Sequence, residues 1–136
     1  MPGTTVVICI DGLDQAYLEA CGTPNIRGLS EKGFLKVGRA MMPTVTNVNN
    51  VSLVTASYPE THGINSNYQH LRESGEGIYM ESGEYILAQT MFQRAKEQGK
   101  TSVLVTSKDK LRTLIGNGAT YTVSSERPPS WVVEGV

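Results

Sequence analysis

Four short stretches of this chain carry side chains that could act together on an anion. Asp11-Gly12 follows the apolar, β-branched run Thr4–Ile10, and Thr46 stands where the loop Met41–Thr46 meets a helical pattern. Asn65-Ser66-Asn67 closes the polar stretch 57–67, and Lys108 and Lys110 flank Asp109 just after a second apolar run, Thr101–Thr106. In an open parallel sheet, ligands gather beyond the carboxyl ends of the strands. A carboxylate, a hydroxyl at a helix start, an amide and a pair of ammonium groups could all meet there.

Each of these groups also has a plainer explanation. A helix start favours a bound phosphoryl group through its unpaired N–H groups and partial positive charge, which would suit Thr46 as a nucleophile. An alcohol is almost fully protonated at neutral pH, however, and needs activation; otherwise Thr46 reads as an N-cap. Asp11-Gly12 fits either a turn with an Asx hydrogen bond or a carboxylate ligand for a hard cation. Turn formation accounts for most of Asn47, Asn49, Asn50, Asn65 and Asn67, leaving one or two to reach a ligand. Lysines at a helix start oppose the dipole, a conflict that a bound anion would resolve and that solvation also relieves. His62, before Gly63, reads as a ligand or as a structural hydrogen-bonding group.

The elements that must position these groups follow from pattern and punctuation. The run Thr4–Ile10 predicts a strand buried on both faces. Asp14 caps a helix over Gln15–Ala20, and Thr23-Pro24 opens another that Gly33 closes. A strand is expected over Phe34–Ala40 and a helix over residues 47–55, where the β-branched content leaves propensity ambiguous. Gly75-Glu76-Gly77 reads as a turn between short extended pieces. Ile86–Gln98 is the clearest helix, and Thr101–Thr106 a buried strand followed by a helix over Lys108–Ile115 that ends at Gly116. The tail from Glu126 has no usable period. The expectation is one α/β domain, 1–136, with a largely parallel sheet flanked by helices.

Composition narrows the chemistry. The chain has 136 residues, an apolar share of 39% and a net charge of −1, which suits a folded domain and gives no support to nucleic-acid binding. No apolar run approaches the roughly 20 residues of a membrane span. Cys9 and Cys21 are too few for a disulfide scaffold, which makes a cytoplasmic setting the expectation. Two histidines, His62 and His70, cannot supply a histidine-rich metal centre.

Taken in order, Ile8-Cys9-Ile10-Asp11-Gly12, Thr23-Pro24-Asn25-Ile26, Pro43-Thr44-Val45-Thr46-Asn47, Tyr58-Pro59-Glu60, His62-Gly63-Ile64 and Asn67 resemble the alkaline phosphatase superfamily. The branch is that of type I phosphodiesterases and phosphonate hydrolases with a threonine nucleophile. Thr46–Ser52, Asn65–Tyr68 and above all Thr106-Ser107-Lys108-Asp109-Lys110-Leu111-Arg112 are most similar to the phosphonoacetate hydrolase family. The resemblance runs from about Val6 to Glu126. It implies an alkaline phosphatase-like fold, with Thr46 as nucleophile and zinc ligand, Asp11 as a ligand of the same zinc and Asn67 as donor to a phosphoryl oxygen. Lys108 and Lys110 would hold the carboxylate of a small phosphonate. No nucleic acid or membrane partner is implied, and a homodimer is among the assemblies to expect.

The resemblance also implies two zinc ions held by several Asp and His residues. Beyond Lys110 the sequence contains neither residue type, and no Asp-His pair occurs anywhere. The expectation is therefore the nucleophile-bearing N-terminal part of such a domain, incomplete at its C-terminus and with little hydrolysis of its own. A nucleotide phosphodiesterase of the same superfamily is the alternative enzyme; a metal-free anion-binding domain is the alternative of another class.

Overall fold

The computed structural model describes residues 3–133; residues 134–136 of the tail lie outside them. The chain forms two compact units, Met1–Ala40 and Met41–Val136.

The first unit holds two helices, α1 (Gln15–Ala20) and α2 (Pro24–Lys32). Both lie where local signals place them. Asp14 caps α1, its carboxylate accepting from Tyr17 N at 3.2 Å, and Gly33 closes α2 by donating its N–H to Leu29 O at 2.9 Å. The two strands expected here are not formed. Residues 4–10 and 34–40 pair with no strand among the described residues, and Ile8 and Phe34 are 76% and 81% exposed. A strand buried on both faces requires neighbours at its edges and helices over both faces. None of the described residues of this unit is buried.

The second unit has a core. Its helix α3 (Thr46–Thr55) buries Val48, Val51 and Val54 at a three-residue spacing. Burial of such side chains contributes about 1.5–3 kcal/mol each, more than the few tenths by which valine disfavours a helix. The short helix α4 (Pro59–His62) lies within the stretch read as a loop. Strands β1 (Tyr68–His70) and β2 (Gly77–Tyr79) form an antiparallel hairpin, turning through Gly75 at φ 73°. A 3-10 turn (Gly83–Tyr85) follows.

Helix α5 (Met91–Glu97) is shorter than the expected Ile86–Gln98. Thr90 starts it with a capping box, accepting from Gln93 N at 3.2 Å while Gln93 Oε1 accepts from Thr90 N at 2.8 Å. Ile86, which continued the apolar pattern, packs on the core from outside the helix. Next come β3 (Val103–Thr106), α6 (Asp109–Ile115) and β4 (Tyr121–Ser124), with β4 parallel to β3 in the register Leu104↔Thr122. Strand β4 carries no apolar run, so the sequence pattern does not signal it. A short helix, α7 (Ser130–Val133), lies in the tail.

The core joins Val48, Val51 and Val54 to Ile64, Met80, Phe92, Leu104, Leu114 and Ile115. Strands and helices alternate in an α/β arrangement, but parallel pairing among the described residues is confined to β3 and β4. No helix among the described residues is long and apolar enough to cross a membrane.

Candidate functional site

Thr46 is the first residue of α3, and the cap position falls one residue earlier, on Val45. The reading of Thr46 as the N-cap is therefore corrected: valine has no side-chain oxygen with which to cap. Three asparagines hold this helix start in place. Asn49 accepts from Met41 N at 2.9 Å and donates to Met41 O at 3.2 Å, fastening the preceding loop. Asn50 Nδ2 donates to Thr46 O at 2.9 Å. Asn47, 1% exposed, donates through Nδ2 to Met80 O at 2.7 Å.

The backbone N–H of Asn47 donates to Asn67 Oδ1 at 3.1 Å. A backbone N–H can only donate, so this contact identifies the amide oxygen of Asn67 and makes its other terminus the NH₂ donor. Asn67 O in turn accepts from Met80 N at 2.9 Å. Asn47, Asn67 and Met80 thus form a closed ring of hydrogen bonds next to Thr46. Asn47 Oδ1 is buried without a hydrogen-bond partner, a state that costs on the order of 1–3 kcal/mol. The ring is not legible in the sequence, where Asn47 is one of several asparagines that turn formation accounts for.

A second polar group surrounds the start of α6. Lys108 and Lys110 line an open depression of about 490 Å³ together with Glu81, Asp109, Glu126 and Arg127. The Asp109 carboxylate is held by its own neighbours. It accepts from Arg112 Nε at 2.6 Å and from Ser124 Oγ at 3.0 Å, with Arg127 Nη1 at 3.7 Å. The Arg112 hydrogen bond holds this carboxyl below the usual carboxylate range, with help from Ser124. Glu126 Oε2 accepts from Asp109 N at 2.6 Å, so a carboxylate of the chain itself occupies that N–H. The two groups meet at one step of the backbone: Met80 closes the asparagine ring, and Glu81 lines the lysine depression.

His62 is structural rather than a metal ligand. It is fully buried, and its Nδ1 accepts from Ile64 N at 3.1 Å. The proton must then sit on Nε2, which donates to Ser52 Oγ at 2.9 Å. In this orientation the imidazole cannot act as a base toward Ser52. Burial pushes its pKa below the ordinary 6.5.

Asp11 lies in the first unit, where Asp11-Gly12 sits in a backbone turn: Leu13 N donates to Ile10 O at 3.3 Å and Gly12 has φ 78°. Among the described residues, no three His, Cys, Asp or Glu side chains group to hold a metal ion. The donors among the described residues therefore do not complete a zinc site.

Two structures of phosphonoacetate hydrolase from Sinorhizobium meliloti, in complex with phosphonoacetate and with phosphonoformate, are each 36% identical to the chain. They superpose with TM-scores of 0.75 and 0.79, over 81% and 87% of this chain and 28% and 31% of theirs. Among curated proteins, a Naja atra venom phosphodiesterase is 43% identical over 65 residues, 46% of this chain and 8% of that protein. An uncharacterized pyrophosphatase/phosphodiesterase of Schizosaccharomyces pombe is 38% identical over 65 residues, 47% of this chain and 13% of that protein. The chain thus spans less than a third of either solved structure and a smaller share of these curated relatives. The model of the type I phosphodiesterase / nucleotide pyrophosphatase family matches residues 5–133, and the chain belongs to that family.

Proposed function

We propose that this chain is the nucleophile-bearing part of a phosphonate hydrolase that cleaves the carbon–phosphorus bond of phosphonoacetate. The observation that carries this reading is the hydrogen bond from Asn47 N to Asn67 Oδ1, which leaves the Asn67 amide a donor next to Thr46. A hydroxyl at a helix start, a fixed donor for a phosphoryl oxygen and two lysines for a carboxylate are among the groups this reaction uses. The 36% identity to phosphonoacetate hydrolase supports the same substrate class.

Breaking a phosphorus–carbon bond expels a carbanion, which is tolerable only when delocalised into the adjoining carboxylate. Thr46 Oγ1 forms a bond to phosphorus as the phosphorus–carbon bond breaks. The proton lost by the hydroxyl is balanced by the one the methylene carbon gains as acetate leaves. Water then displaces Thr46 from phosphorus, giving phosphate. The Asn67 NH₂ stabilises charge on the phosphoryl oxygens, and Lys108 and Lys110 stabilise it on the carboxylate as it develops. Zinc is the cofactor this reading calls for, with Thr46 as a contributing donor. Because the described residues do not complete a zinc site, the 136 residues alone should show little or no hydrolysis.

The test is calorimetry of the chain with phosphonoacetate and with methylphosphonate, which lacks the carboxylate. The expected result is tighter binding of phosphonoacetate by about tenfold, or ~1.4 kcal/mol, with the advantage lost in Lys110→Ala. Equal affinity for the two ligands would remove the lysines from carboxylate recognition. The family match favours a second reading, a nucleotide phosphodiesterase. In a longer form that contains this segment, faster turnover of a nitrophenyl phosphodiester than of phosphonoacetate would select it. Thr46→Ala should abolish turnover under either reading.

A further inference from the structure

We infer that Asn47 is a positioning residue, whose side chain keeps the Asn67 amide turned with its NH₂ toward the ligand and its oxygen toward α3. This rests on the reading of Asn67 as an anion donor given above.

The ring beside Thr46 has three links, and each does a different job. Met80 N donates to Asn67 O at 2.9 Å and sets the Asn67 backbone against the end of β2. Asn47 N donates to Asn67 Oδ1 at 3.1 Å and sets the rotation of the side-chain amide. Asn47 Nδ2 donates to Met80 O at 2.7 Å and closes the ring. Without this third link, the start of α3 and the end of β2 are free to separate, and the second link weakens. The Asn67 amide then has no fixed sense of rotation, and its oxygen can face an anion as readily as its nitrogen.

Chemistry requires the fixed sense. An amide oxygen turned toward a phosphoryl oxygen repels it, whereas the NH₂ attracts it. Holding the donor in advance removes the need to reorient it when the anion arrives. The orphaned Asn47 Oδ1 fits this role, since at this position the chain retains a buried amide whose oxygen is unsatisfied and whose nitrogen closes the ring. A side chain present only for packing would not need that nitrogen.

The experiment is nitrogen-15 NMR of the 136-residue chain, titrated with inorganic phosphate. In the unmodified chain the Asn67 side-chain NH₂ should be as ordered as rigid backbone, with an order parameter near about 0.85. In Asn47→Ala it should fall below about 0.6, and the phosphate dissociation constant should rise at least fivefold. Asn47→Ala/Asn67→Ala should bind no more weakly than Asn67→Ala alone, because Asn47 acts through Asn67. Additive losses, or an unchanged Asn67 order parameter in Asn47→Ala, would overturn the positioning role. Asn67→Asp guards against a folding failure in the alanine variant. It keeps an acceptor for Asn47 N–H while removing the donor, so protection of the Asn47 amide from exchange should persist and phosphate binding should be lost. Loss of that protection would also overturn the role. Phosphate that leaves the Asn67 NH₂ signals of the unmodified chain unmoved would instead overturn the anion-donor reading, while the order parameters still judge the ring.

Discussion

Residues up to Ala40 and residues from Met41 onward use similar apolar vocabulary with opposite results. The first unit has β-branched and aromatic runs at 4–10 and 34–40, yet none of its described residues is buried. In the second unit Leu104 in β3 and Val48 and Val51 in α3 are buried in one core. Hydrophobicity alone does not make a strand. A run becomes one when a neighbour takes its backbone hydrogen bonds and a helix covers its face, as β4 and α6 do for β3.

Truncation in each unit is the most direct way to break this comparison. Leu114→Ala, at a fully buried position, should cost about 2–5 kcal/mol, whereas Phe34→Ala should stay within about 0.5 kcal/mol. Urea unfolding of the two variants checks this, and a comparable loss in both would show that the first unit has a core after all.

Next in size is a pH effect centred on His62. Its pKa in the folded chain lies below the ordinary 6.5, so the unfolded chain takes up the proton more readily. The stability from keeping this imidazole neutral is fully present above about pH 6.5 and is lost as the pH falls below that value toward the folded pKa. Protonation would also place a donor opposite the Ile64 N–H. Urea midpoints measured between pH 8 and 5 should fall at the acid end, and His62→Asn should flatten that slope.

The capping box of α5 sharpens the comparison at the level of one helix. Thr90→Ala should cost about 1 kcal/mol, readable as a lower thermal midpoint, because Thr90 Oγ1 is bonded to Gln93 N and also donates to Asn117 O. The smallest effect is expected at Ala56, which ends α3 at φ 50°. Glycine adopts this left-handed conformation without the steric cost to a Cβ, so Ala56→Gly should stabilise by up to about 1 kcal/mol. A loss of stability there would mean that the Ala56 methyl contributes packing.

Much of the helical framework was legible in the sequence because its signals are local. Asp14 before Gln15–Ala20, Pro24 at the start of α2, Gly33 after it and Gly116 after α6 all act within one turn of the residues they delimit. The start of α5 differs from the apolar pattern because Ile86 continues that period while lying outside the helix; the Thr90–Gln93 box is the better local signal. Strand β4 is not legible in the sequence because Tyr121–Ser124 depends on its pairing with β3 and carries no apolar run of its own. At the candidate site, Thr46, Asn67 and the two lysines were legible as residue types in a recognisable order. The roles of Asn47 and Met80 were not, because each is defined by a hydrogen bond across 20 to 33 residues.

By itself, then, the sequence determined where α1, α2 and α6 begin or end and which side chains could meet an anion, since caps, glycine stops and residue chemistry need no distant partner. Only the tertiary structure decided which apolar runs became strands, which nitrogen of His62 carries the proton and which way the Asn67 amide faces. Each of these depends on a hydrogen bond or a covered face supplied from elsewhere in the chain. No local pattern encodes that partner.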